Sequence, residues 1–515
     1  MFRRVEFGNI SNTLYRDYVV MKLKMIKASI VGVLLSCSSP LFATPTAYLP
    51  IGMDAQLDHQ LDTLFALTSG TPMAKPYRLA EVETALTKLK NSEPALVAAI
   101  RAKIKPYQSD DAITRVGVKL QVDSDTSKQI ANQRGLGSDE WGQGFFEGIW
   151  RANDYTLVQV GIDYRAKANK FVNYNTFVSF AGEDLQLNIG YKEHWFSPFK
   201  HAAQVISTNA KTAPSVSIGM VQPAHNWWNF DFELYYSELE HVDNGILYQN
   251  ELHSGTPKLA GTHFSIEPID GWKIGINRMM QFGGGPRKVD AGDVFDAFFD
   301  PAGNDNSGLT GSKDNELGDQ YATITSSVNF NWGMPIELYF EYGGEDTKNH
   351  KNYQFGNTVS NVGFFLPKMT DAMSLRYEYT NMHSLWYVNE IYPVNGNTVG
   401  GFVTGHYAAD QRYSDFHADG VAKVYADAPP TQVHSMELTY NESLSSLWRG
   451  KLTLIENESN YLNEFGQTSA DYEKAIELQL SNTRQWNEHT LETTLTYGED
   501  VFGENYTWLS VALFW

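Results

Sequence analysis

The chain is short of three things. One residue in 515 is cysteine, Cys37, which excludes a disulfide framework and any zinc site built from several thiolates. Basic side chains are outnumbered, 40 Lys+Arg against 60 Asp+Glu, for a formal charge of −20. That balance argues against nucleic acid as a partner, because phosphate binding needs a basic face. Long apolar runs are missing beyond residue 43, and a mean hydropathy of −0.36 leaves no room for a bundle of membrane helices. A membrane β-barrel survives that exclusion, because its polar lumen dilutes the apolar signal of each strand.

The one long apolar stretch lies near the N-terminus. Lys22, Lys24 and Lys27 precede Ala28 to Leu35, and small residues lead on to Leu41-Phe42-Ala43. A basic start, an apolar core of this length and alanine at the cut form a secretory signal. Cleavage is expected after Ala43, with Met21 or Met25 a natural start. A lipoprotein box at Leu34-Leu35-Ser36-Cys37 is the lesser alternative, since Leu35 is bulky for it. Residues 1–43 carry a net charge of +4, so their removal leaves the exported chain at −24.

What remains divides into a helical preface, 44–114, and a β region, 115–515. In the preface Leu57, Leu61, Leu64 and Phe65 fall on one helical face, as do Leu79, Val82, Leu86 and Leu89, then Leu96, Val97, Ile100 and Ile104. Ser92 before Glu93-Pro94 is the expected N-cap of the third helix, with proline tolerated in the first turn. Three short amphipathic helices make only a small core and are expected to dock on something larger.

After Asp110 the period changes to two. Val116, Val118, Leu120 and Val122 alternate with Gly117, Lys119 and Gln121. Ile336, Leu338, Phe340 and Tyr342 alternate with Glu337 and Glu341. A soluble antiparallel sandwich also alternates in this way. Three features favour a membrane barrel instead. The apolar face ends in aromatics on strand after strand, as interfacial girdles require. Connections alternate between short turns and long loops at 126–143, 195–214, 241–260, 283–320, 346–360 and 383–432, the outer-membrane arrangement with turns facing the periplasm. The chain also stops on a strand, with Leu509, Val511, Leu513 and Trp515 on one face and Ser510, Ala512 and Phe514 on the other. Eighteen strands are expected, at about 22 residues each with their connections. The preface enters before the first strand and so falls on the periplasmic side.

Motifs of chemistry are scarce. There is no G-x-S-x-G elbow, P-loop or H-E-x-x-H, and no G-x-G-x-x-G after a strand. His383-Ser384 is the nearest to a catalytic pair, but neighbours in an extended chain point to opposite faces. No enzyme is expected, and no cofactor is implied. Loop 283–320, with Asp300, Asp305, Asp314 and Glu316, has oxygen ligands at a density that suits Ca²⁺ without matching the spacing of a calcium loop. The long loops hold aromatics beside amides and acids: Trp195 and Phe196 in one, Trp386, Tyr387, Tyr392, Phe402, His406, Tyr407 and Tyr413 in another. Sugars present apolar C–H faces ringed by hydroxyls, and Trp and Tyr share that dual character. The alternative is that these rings pack on one another and plug the barrel mouth. With a mature charge of −24, a simple ionic grip on an acidic glycan is disfavoured; aromatic plates, hydrogen bonds, local Lys/Arg or a bridging cation remain.

The stretch Gly190-Tyr191-Lys192-Glu193-His194-Trp195-Phe196-Ser197-Pro198, followed by Ile206-Ser207-Thr208-Asn209-Ala210, resembles the Wzi family of capsule assembly proteins. Asn315-Glu316-Leu317-Gly318-Asp319-Gln320-Tyr321-Ala322 is similar to a second segment of that family. The resemblance implies an eighteen-stranded outer-membrane barrel with a periplasmic helical bundle. It further implies a lectin that helps exported capsular or extracellular polysaccharide attach to the cell surface beside the export channel. His194 and Asn209 in these segments join Trp195, Trp386, Tyr387 and Tyr407 as the candidate carbohydrate-binding residues. The alternative function is a substrate-selective porin for sugars or other small solutes, since an eighteen-stranded barrel is wide enough for a water-filled bore. An outer-membrane hydrolase ranks third.

Overall fold

The computed structural model describes residues 44–123, 133–137, 140–299, 314, 316–345, 347–348, 351–384, 386–387, 389–393, 396–412, 428–462 and 468–515. The expected export signal, the cleavage expected after Ala43, and Cys37 lie outside the described residues.

Alternation becomes eighteen antiparallel staves. They are β1 Asp111–Asp123, β2 Gly142–Asn153, β3 Thr156–Arg165, β4 in two pieces (Lys170–Asn173 and Thr176–Ala181), β5 Leu185–Tyr191 and β6 Ser215–Met220. Then follow β7 Asp231–Glu238, β8 Lys258–Ile269, β9 Trp272–Phe282, β10 Gly318–Asn331, β11 Pro335–Gly344 and β12 Thr358–Leu366. The last six are β13 Met373–Met382, β14 Thr431–Ser443, β15 Ser446–Asn457, β16 Ala475–Trp486, β17 His489–Glu499 and β18 Asn505–Phe514. Each pairs with its sequence neighbour, and β18 closes the cylinder on β1 from Trp508↔Asp123 to Phe514↔Gly117. Closure leaves no unpaired edge, which is what hydrocarbon demands of a spanning sheet. In β4 the alternation breaks at Tyr174-Asn175, where Asn175 takes a φ of 44°. Pairing with β3 passes from Ile162↔Asn173 to Gln159↔Phe177, three steps against four, a one-residue bulge.

The two faces are inverted relative to a soluble sandwich. Val122 is 73% exposed on the outside, and Leu120, Leu338, Phe340 and Tyr342 are exposed with it, whereas Glu337 and Glu341 are 0% and 1% exposed within. Such a surface belongs in lipid. Trp150, Tyr155, Trp227, Trp228, Trp332 and Trp486 are exposed at or beside the short turns, an aromatic girdle at one rim.

Inside that rim lie three helices, α1 Ala55–Ala66, α2 Leu79–Leu89 and α3 Pro94–Ile104. Their stripes bury Leu61, Leu64, Phe65, Val82, Leu86, Val97, Ile100 and Ile104 in one core that continues onto Ile149 and Leu157 of the wall. Asp54 caps α1, accepting from the Gln56 and Leu57 amides, and pairs with Lys103 of α3 at 2.7 Å. The N-cap of α3 is Glu93, not Ser92. Proline at the first helical position makes the preceding residue the cap, and the Ser92 hydroxyl turns back to the Leu89 carbonyl instead.

The preface is fastened around the short-turn rim. Thr46 exchanges hydrogen bonds with Gln186, and Tyr48 with Gln159. Arg78 grips Asp231, Lys273 donates to the Gly70 carbonyl at 2.9 Å, and Thr71 donates to Glu337. Asn329 donates to the Ala66 carbonyl at 2.8 Å, His59 meets Asn441, and Lys368 pairs with Glu93.

Candidate functional site

The bore is filled from the other end as well. Loop 192–214, between β5 and β6, and the described parts of loop 383–430, between β13 and β14, fold into the lumen. Phe196, Val205, Ile206, Trp386, Tyr387, Val399, Phe402 and Val403 from these loops share one core with Tyr235, Leu259, Met279, Tyr321, Val359 and Met382 of the wall. The plug therefore seats on the β7–β13 side. Ala74 of the preface joins the same core, so loops and preface meet inside the barrel. There Lys75 and Trp195 exchange two backbone hydrogen bonds, at 2.8 and 3.0 Å, and the Lys75 ammonium donates to the Phe199 carbonyl.

All six candidate residues are buried in this packing. His194 stacks on Tyr235 with centroids 4.1 Å apart and sits between Glu233 and the Ser215 hydroxyl. Trp195 donates its indole N–H to the Phe199 carbonyl at 3.1 Å. Asn209 joins the two loops, donating to the Val403 carbonyl at 2.9 Å and to Asp410 at 2.6 Å. Trp386 lies among Tyr321 and Tyr387. Tyr387, held at a φ of 72°, donates its hydroxyl to the Gln204 carbonyl and accepts from the His406 amide. Gly405 is the residue that permits this, since a Cβ there would stand 2.2 Å from the Tyr387 hydroxyl. Tyr407 meets the Ser435 hydroxyl at 3.3 Å. The structure brings His194, Asn209, Trp386 and Tyr387 into the join between the loops or its support on β7; Trp195 lies where loop and preface meet, and Tyr407 borders the space beside the plug. None presents a ring face to solvent.

Charge ties the layers together. Asp62 of α1 accepts from Tyr77, from Arg376 of β13 at 2.9 Å and from Lys200 of the loop at 3.0 Å. Burial pushes its carboxyl up, but Lys200, Arg376 and Lys75 outweigh that and hold it well below the usual range. Asp58, one turn earlier, is raised to about 6 by burial against the pull of Lys200. Burial also lowers Lys75 to about 8 and His59 to about 4.

On the opposite side, against β1–β3 and β14–β18, the described residues leave a polar chamber of about 260 Å³, against about 40 Å³ for two other voids. Its floor is Ile51–Met53, Ala55 and Asp58, and loop residues Arg134, Thr208 and Tyr407 border it. Small side chains make the hollow: Ser510 and Ala512 of β18 and Thr494 and Thr496 of β17 stand on the inner face, flanked by Lys119, Gln121 and Trp508. These residues were visible in the sequence only as the polar half of the alternation.

His383 and Ser384 are in contact, Nδ1 to Oγ 3.1 Å, contrary to expectation. Extended geometry ends at Met382 and Ser384 lies in a turn, so strand alternation no longer separates them. The same nitrogen also faces the Ser384 carbonyl at 3.1 Å, a local contact of a turn. Asp300 and Asp305 lie outside the described residues. Asp314 accepts from the Gln249 amide, and among the described residues no group of three His, Cys, Asp or Glu is placed to hold a metal ion.

An oily exterior, a closed eighteen-strand sheet, a girdle of aromatics and a charged interior define a transmembrane β-barrel of the outer-membrane type, with its bore filled. The family model for capsule assembly protein Wzi matches residues 104–413, and the chain belongs to that family. No curated protein matches it in sequence. Among solved structures it is similar to Wzi of Escherichia coli, described as an outer membrane protein involved in group 1 capsule assembly and a carbohydrate-binding β-barrel. The two are 13% identical over 92% of this chain and 99% of that one, with a TM-score of 0.65, a likeness of fold. OccD3 of Pseudomonas aeruginosa (9% identity, 79% of this chain and 90% of that one, TM-score 0.44) and OccAB2 of Acinetobacter baumannii (9%, 79% and 98%, 0.44) are similar only loosely.

Proposed function

We propose that this protein is an outer-membrane lectin that keeps exported capsular or extracellular polysaccharide at the cell surface without altering it. The observation that carries the reading is the filled bore: a barrel wide enough to conduct is occupied by loops from one rim and helices from the other. A diffusion pore needs that space open, which favours the lectin over the porin alternative. In this reading the short turns and the helical preface face the periplasm, and the long loops face outward beside the export channel. His194, Trp195, Asn209, Trp386, Tyr387 and Tyr407 serve binding by fixing the loops that meet the polymer. Many weak sugar contacts along one chain add by effective concentration, so no single subsite needs high affinity.

Loss of the gene is the test in cells. Polymer is expected in undiminished total amount but shifted from the cell pellet to the medium. Absence of polymer from both fractions contradicts an attachment role, and an altered polymer length points to an enzyme instead.

A further inference from the structure

We propose that the polar chamber at the barrel seam is a saccharide subsite, taking one or two sugar units of a glycan; this rests on the lectin reading above. The seam is where β1 meets β18, and its inner face reads in rows. Lys119 lies opposite Ala512 and Gln121 opposite Ser510, while Ala512 and Ser510 lie opposite Glu492 and Thr494. Large polar side chains on β1 thus overhang Ser510 and Ala512 on β18 and Thr494 on β17, and the hollow follows from that size difference.

Two of its lining side chains carry buried donors without an acceptor from the protein. Gln121 is 7% exposed, yet its Nε2 has no partner; Trp508 Nε1, on the same inner face, has none either. Buried donors left unpaired are costly, and such sites are built for an occupant or for water. Lys119 and Lys451 also border the chamber, neither at salt-bridge distance from a described carboxylate. Glu477, Glu492 and Asp58 line it as well, so it offers both signs of charge and no net pull on a simple ion. Phe145 and the buried rings of Phe514 and Tyr407 border these groups. Donors, acceptors and some apolar surface around a volume this size match a polyol with apolar C–H faces.

The full mature chain in detergent micelles is titrated with a neutral disaccharide such as lactose and with a uronate-bearing one, following Trp fluorescence and calorimetric heat. The same preparations are mixed with long surface polysaccharide. Saturable disaccharide binding is expected. Gln121→Leu combined with Trp508→Phe should weaken it about tenfold, the loss of two hydrogen bonds. Thr494→Trp, which fills the hollow, should abolish it, with circular dichroism and thermal unfolding confirming that each variant folds. Disaccharide binding unchanged in these variants overturns the chamber as the subsite. Polymer binding with no disaccharide binding overturns the chamber and leaves the lectin reading standing. Failure to bind either overturns both.

Discussion

Asp62→Ala is expected to release the helical preface from the barrel. The substitution leaves Arg376 and Lys200, both held at about 3 Å in the native protein, facing one another across a buried space with no carboxylate between them. Removing one partner of a buried charge cluster costs about 3–5 kcal/mol, most of it from the charges left behind. Amide hydrogen exchange across α1 should therefore accelerate by roughly two to four orders of magnitude, because local opening reports that loss directly. Arg101→Ala is the control. Arg101 and Glu83 are 3.7 Å apart on an exposed face, where a pair contributes about 0–1 kcal/mol. Equal exchange in the two variants would show that Asp62 and its cations do not hold the preface.

Conductance is the second large effect. In planar bilayers the intact protein should be nearly silent. The ends of loop 383–430 are adjacent, since Met382 pairs with Thr431, and Gly190 likewise pairs with Ser215 across loop 192–214. Short hairpin turns can therefore replace both loops without opening the sheet. With the loops shortened and the preface still in place, current should remain low. With residues 44–109 also removed, the barrel should carry the steady current of a bare eighteen-strand pore. Current that rises fully on shortening the loops alone would mean the helices do not seal their rim.

The wall of this protein is legible in its sequence because lipid imposes a strict rule on it. Glu337 and Glu341 between Ile336, Leu338, Phe340 and Tyr342 have one arrangement compatible with a closed sheet, and the structure adopts it. The break at Tyr174-Asn175 was not legible, since one extra residue leaves the surrounding alternation intact. The loops obey no such rule. Trp386 and Tyr387 have the composition of sugar plates and of a packed plug alike, and only the fold shows them buried beneath Gln204 and Tyr321. Asn209 could not be read as the clasp between two loops, because Val403 and Asp410 lie some two hundred positions away in the chain. The chamber was hidden for a different reason. Gln121 and Trp508 sit at opposite ends of the β region and become neighbours only when the cylinder closes.

Direct binding between the purified protein and the surface polysaccharide of its own bacterium tests the central claim. Protein in detergent should co-elute with the polymer on size exclusion, saturably, and leave the polymer's length unchanged. Separate elution at every ratio, from a preparation that also carries steady current in bilayers, would identify a pore and contradict the account.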